Sequence, residues 1–176
     1  MRIQRTFTFM AVIIAILFLG IGYAAISNVT LNVSGTANVT SSNDDFHVGF
    51  VTTHSIGTSN ATGAYSTETA ATMTVNLDST KSTGYAIFKV KNSSSSLYAG
   101  LSSAILNNFS SENSSYLEIT ENSFYTNEAC TTAFSGSLAP QGEAFLKVTV
   151  HLKKVPLNDI SNASFKVTVT ATPSES

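Results

Sequence analysis

From Asn28 onward, apolar and polar residues alternate one by one, and that period of two limits the fold more than any other feature of the chain. Val29, Leu31, Val33, Ala37 and Val39 share one parity; Thr30, Asn32, Asn38 and Thr40 share the other. Such alternation describes a strand with one face on a core and one in water. Gly35 lies in phase and predicts a bend or bulge.

The pattern recurs down the chain. Phe46, Val48 and Phe50 repeat it, as do Met73, Val75 and Leu77, then Leu97, Ala99 and Leu101, and a short Leu117–Ile119 pair. Residues 85–90 (Tyr-Ala-Ile-Phe-Lys-Val) are apolar on both parities, which predicts a central strand. The longest run is 143–152, with Ala144, Leu146, Val148, Val150 and Leu152 inward, behind a Pro140–Gly142 turn. Phe165, Val167, Val169 and Ala171 close the chain. No helical period follows residue 27, apart from a turn near 102–108. About eight short strands with Thr-rich outer faces predict an all-β chain: a two-sheet antiparallel sandwich of jelly-roll or Ig-like type.

The N-terminus is different. Arg2 and Arg5 precede an uncharged, strongly apolar stretch at about 7–26. Gly22 and Ala24 stand at −3 and −1 of a cut between Ala24 and Ala25, the pattern of a secretory signal peptide. Left uncut, the same segment is long enough to anchor the chain as a membrane helix. Both readings keep the arginines inside and export the rest, to the cell surface or beyond. The type IV pilin alternative is weaker, because no Glu or Asp occurs before Asp44. The expected organisation is therefore 1–26 as signal or anchor, forming one N-terminal hydrophobic helix, followed by 27–176 as a single β-sandwich domain.

Composition removes several function classes. Charged residues are 11% of the chain and the formal net charge is −2, so no basic field exists to attract nucleic acid. One cysteine excludes a disulfide framework and a cysteine zinc site. His47, His54 and His151 form no ligand-spaced motif, Asp44–Asp45 reads as turn chemistry, and Cys130 reads as a buried apolar residue or an accidental link between two copies. No phosphate loop or nucleophile elbow is present, and no cofactor or metal is expected. A hydrolase should show converging titratable groups, and His47, His54 or His151 meeting Asp or Glu at ligand distance would count against a non-enzymatic reading. Tyr65, Tyr98, Tyr116 and Tyr125 fall in or near polar segments, which keeps an adhesin or carbohydrate-binding module as the alternative. Eight Asn-x-Ser/Thr triplets begin at Asn28, Asn32, Asn38, Asn60, Asn92, Asn108, Asn113 and Asn162. Alternating Thr and Asn produce such triplets without any glycan.

The run 22–37, Gly-Tyr-Ala-Ala-Ile-Ser-Asn-Val-Thr-Leu-Asn-Val-Ser-Gly-Thr-Ala, resembles a recurrent opening of small exported β-sandwich surface proteins of Gram-positive bacteria. Asp45-Phe46-His47-Val48-Gly49-Phe50, Leu138-Ala139-Pro140-Gln141-Gly142 and the closing 165–173 carry the likeness further along the chain. More distantly the layout is similar to the biofilm-matrix fibre and camelysin family, whose jelly-roll-like domains follow a signal segment and assemble into surface fibres. Camelysin has been classed as a metallopeptidase; this sequence has no zinc-ligand motif, so the resemblance does not bring that activity with it.

The expectation is thus a non-enzymatic surface or matrix protein that associates with itself or with other surface proteins. Its first strand suggests how. Residues 28–40 follow the cut directly, carry no charge, and present Val29, Leu31 and Val33 on one parity. Such a strand can add to a neighbouring subunit, and a head-to-tail repeat of that contact gives a filament. The competing expectation is that 29–39 pairs inside its own sheet.

Overall fold

The computed structural model describes residues 26–37, 45–156, 160 and 163–174, and for 26–37, 52–56 and 106–107 the backbone alone. The expected N-terminal helix, Ala24 and Ala25 therefore lie outside the described residues. Ten strands carry the fold: β1 (Ile26–Ala37), β2 (Val48–Gly57), β3 (Ala61–Thr67), β4 (Ala70–Leu77), β5 (Thr83–Asn92), β6 (Tyr98–Asn107), β7 (Leu117–Tyr125), β8 (Ser137–Leu138), β9 (Glu143–Leu152) and β10 (Lys166–Ser174). A single 3-10 turn, Asn113–Ser115, precedes β7, and the described residues contain no α-helix.

The strands form two sheets. Sheet A has six, in the order β3-β4-β1-β10-β6-β8; sheet B has four, in the order β2-β5-β9-β7. All described pairings are antiparallel except β1 with β10. That parallel pair departs from the wholly antiparallel expectation. β1 and β10 are the first and last strands, so no hairpin turn dictates their relative direction.

Alternation places the core between the sheets. Met73, Val75 and Leu77 of β4, Val167, Val169 and Ala171 of β10, Ala86, Phe88 and Val90 of β5, and the Ala144–Leu152 parity of β9 are all buried. They join one cluster drawn from both sheets, and each buried Val, Leu or Phe contributes about 1.5–3 kcal/mol relative to exposure. β5 has β2 and β9 as neighbours, which explains its doubly apolar sequence: even Ile87, on the parity opposite the core, is only 5% exposed.

A polar corner ties the sheets together. Asn92, at the end of β5, is fully buried. Its Nδ2 donates to the carbonyls of Leu97 (2.8 Å), Leu138 (3.1 Å) and Ala139 (3.2 Å), and its Oδ1 accepts from the Ser94 N–H. The neighbouring 139–142 turn closes with Gly142 N–H donating to the Ala139 carbonyl at 2.9 Å. Gln141 takes φ 60 there, and its Nε2 donates to the carbonyls of Ser93 and Ser94. A Cβ on Gly142 would stand 2.8 Å from the Ala139 oxygen, so the turn needs glycine at that point.

Four local expectations change. The register runs evenly through Gly35, and the irregularity in β1 lies between Ile26 and Val29 instead. Residues 102–107 continue β6 as strand rather than turning, because β10 supplies a ladder as far as Asn107. β7 extends to Tyr125 through a bulge between Ile119 and Glu121, which shifts the phase and hides the alternation. β3 and β8 were not foreseen: β3 is an edge strand with Ala61 alone buried, and β8 spans two residues.

Candidate functional site

The candidate assembly strand sits inside sheet A. β1 pairs with β4 on one flank and β10 on the other. Val29, Leu31 and Val33 stand in register with Val75, Met73 and Ala71, all core residues. Val33, Gly35 and Ala37 stand opposite Val167, Val169 and Ala171, also core residues. β1 is thus the chain's first described strand and an interior one, flanked on both sides by backbone partners of its own chain, the arrangement that the competing expectation of pairing within one sheet describes.

Sheet A is almost free of charge. Its six strands hold one charged residue, Lys166, whereas the four of sheet B hold Lys89, Lys91, Lys147, Glu118, Glu121 and Glu143. Four of those side chains form two ion pairs. Lys89 pairs with Glu143 at 2.9 Å and lies over the Phe145 ring. Lys147 pairs with Glu121 at 2.9 Å and lies over the Tyr85 ring. Thr149 Oγ1 donates to the same carboxylate at 2.9 Å, and the Tyr125 hydroxyl donates to its other oxygen. Burial pushes the Glu121 carboxyl up, but the donors from Tyr125, Lys147 and Thr149 outweigh it and hold the group below its ordinary range. The bond to Glu121 pushes the Tyr125 hydroxyl up to about 12.

Of the three histidines, His47 makes the contact that bears on hydrolysis. Its Nε2 lies 2.8 Å from Glu68 Oε2, across the gap between β2 and the β3–β4 turn. The pair borders a hollow of about 180 Å3 lined also by Phe50, Tyr65, Lys91 and Ser93. Both side chains are more than half exposed, at 58% and 60%. Among the described residues the bonds of the His47 ring end at Glu68, and no group of three or more His, Cys, Asp or Glu could hold a metal ion. His151 shares a hydrogen bond of 2.9 Å with Thr83 Oγ1, and the His54 side chain lies outside the described residues.

The other candidates take structural positions. Asp45 accepts from the Ser95 N–H and hydroxyl, which hold its carboxyl below the ordinary range; Asp44 lies outside the described residues. Cys130 is half-buried at φ 51 in a loop braced by Asn127, and burial pushes its thiol up, away from nucleophilic thiolate. Tyr65, Tyr98, Tyr116 and Tyr125 are all half-buried and spread over β3, β6, the turn before β7 and β7. Asn60 and Asn92 spend their amides on backbone carbonyls, so those two triplets serve packing. Sequence reasoning missed the corner role of Asn92 and the Glu121 array. The first looks like any loop triplet, and the second depends on a bulge. No protein-family model and no curated protein matches this chain.

Proposed function

We propose that the chain is an exported, non-enzymatic component of the cell surface or extracellular matrix, a jelly-roll or Ig-like sandwich of the biofilm-fibre type, assembled by exchange of β1. One observation carries this: the first strand fills an interior slot, between β4 and β10, in a sheet with one charged residue. Withdrawal of an edge strand exposes one ladder; withdrawal of β1 exposes two, which a neighbour's β1 restores in the same register. Main-chain bonds supply affinity, and the uncharged segment adds no repulsion. Residues 7–26 hold the chain at the membrane until cleavage between Ala24 and Ala25 frees the end of β1.

Electron microscopy of protein recovered from the cell surface tests the reading. The unaltered chain forms filaments; the L31D/V33D variant, still folded by circular dichroism, forms none. Normal filaments from that variant defeat the exchange model, and monomers alone from the unaltered chain defeat the fibre reading.

A second reading, a secreted hydrolase, rests on the His47–Glu68 contact beside its hollow. H47A leaves any hydrolysis of peptide or glycan substrates unchanged if the surface reading is right, and abolishes it if the hydrolase reading is.

A further inference from the structure

The two sheets end differently on the side where β6 and β7 lie. β7 closes sheet B with Glu118, Glu121 and a bulge, all devices that discourage another chain from pairing there. β6 carries no charge, and its own irregularity, between Ile105 and Asn107, lies past the 101–105 stretch. β10 pairs with it along its whole length, but on the opposite side β8 covers Ala99 and Gly100 alone. Among the described residues, no strand covers that side of 101–107, a stretch without charge or proline. Beside it, Ile105 is 39% exposed, the one exposed large apolar residue among those described. It stands opposite the buried Val167, on the core parity, two residues from Ser103, whose hydroxyl donates to the Asn122 carbonyl of β7 at 3.2 Å.

The sequence of this edge matches itself when reversed. Leu101-Ser102-Ser103-Ala104-Ile105 read backwards again gives apolar, small, serine, small, apolar. An antiparallel pair of two such strands centred on Ser103 sets Leu101 against Ile105 of the second copy, twice, with Ser103 against itself. Residues directly opposite share a face, so the two exposed Ile105 side chains gain apolar partners, and cross-strand pairs are the unit of sheet stabilisation. A two-fold axis demands this self-match. A charged partner strand would find nothing to pair with; an uncharged second copy meets no repulsion.

We propose that β6 is a homotypic docking edge through which two copies join sheet A to sheet A about a two-fold axis at Ser103. This contact is separate from the β1 slot, and it would join neighbouring subunits or filaments side by side.

Charge placed on the edge tests it. Ser102 and Ala104 are exposed and, in this register, face each other across the axis. In the full chain purified in mild detergent, sedimentation is expected to show a dimer. S102K/A104K sets like charges opposite each other twice and should weaken the dimer by at least about tenfold. S102K/A104E sets opposite charges there and should keep it. A monomeric unaltered chain, or equal dimerisation by both variants, overturns the proposal. Should S102K/A104K fail to fold, S103C in a C130S background decides instead. Oxidation links two copies through Ser103's position, while S102C links far more slowly because its own copy lies diagonally across. Absence of the S103C dimer overturns the proposal. Filaments are scored separately: S102K/A104K leaves them intact but unpaired, and loss of filaments with the dimer retained counts against β1 exchange alone.

Discussion

Sheet A and sheet B share one core and differ in almost everything that faces away from it. Sheet A carries one charged residue on six strands; sheet B carries six on four strands, four of them in two ion pairs whose lysines lie over aromatic rings. Charge on a sheet is one of the usual ways of refusing another chain. Sheet B has it, together with the β7 bulge. Sheet A lacks it at β1 and at the free length of β6. The contrast is the reason both proposed contacts between copies are placed in sheet A.

The largest effects should be common to both sheets, because they share a core. Met73 of β4 and Leu146 of β9 are fully buried, so M73A and L146A should each cost about 2–5 kcal/mol in denaturant unfolding. Both should lower one cooperative transition. Two separate transitions would mean that the sheets are separate units, and the comparison would have to be redrawn.

Next comes the corner that joins them. N92A removes the donor that serves three carbonyls and leaves them buried, an expected loss of about 2–3 kcal/mol. A loss below about 0.5 kcal/mol, the range of an ordinary surface substitution, would remove Asn92 as the joint.

The smallest effect belongs to the charged face of sheet B. E121Q should cost about 1 kcal/mol and return Tyr125 from about 12 toward its ordinary value near 10 in an ultraviolet titration. The pH dependence follows. Glu121 is held below its ordinary range, so its contribution is present above that range and fades as acid protonates it. Tyr125 is raised, so its contribution is complete below about 10 and is lost as pH climbs to about 12. E121Q should flatten both limbs; an unchanged alkaline limb would show that Tyr125 does not depend on Glu121.

The parts of this architecture that show in the sequence are those where one parity meets the core. β9 runs over Glu143–Leu152, where the alternation puts it, and β4, β5 and β10 bury the residues their periods select. Legibility fails where something other than the core decides. The edge strand β3 buries too little to show a period, the β7 bulge resets the phase, and β6 beyond Leu101 is held by β10's ladder. Asn92 is invisible for a related reason, since its partners are backbone carbonyls from Leu97 and from 138–139. The candidate assembly strand could be singled out as uncharged and adjacent to the expected cut. Its interior place could not, because strand order is set by partners more than a hundred residues away, as Val33 with Val167.

The most direct measurement concerns which chain fills the slot between β4 and β10. Asn32 and Thr72 are register partners, at the Cα separation of an antiparallel pair, which a disulfide can span. Two chains are produced together in a C130S background, one carrying N32C and the other T72C, and the surface material is oxidised and run without reductant. Exchange of β1 predicts a disulfide-linked pair containing one chain of each kind, absent when either variant is produced alone. If the two chains stay unlinked while an N32C/T72C double variant closes its bond within itself, β1 remains in its own sheet and the account of assembly is wrong.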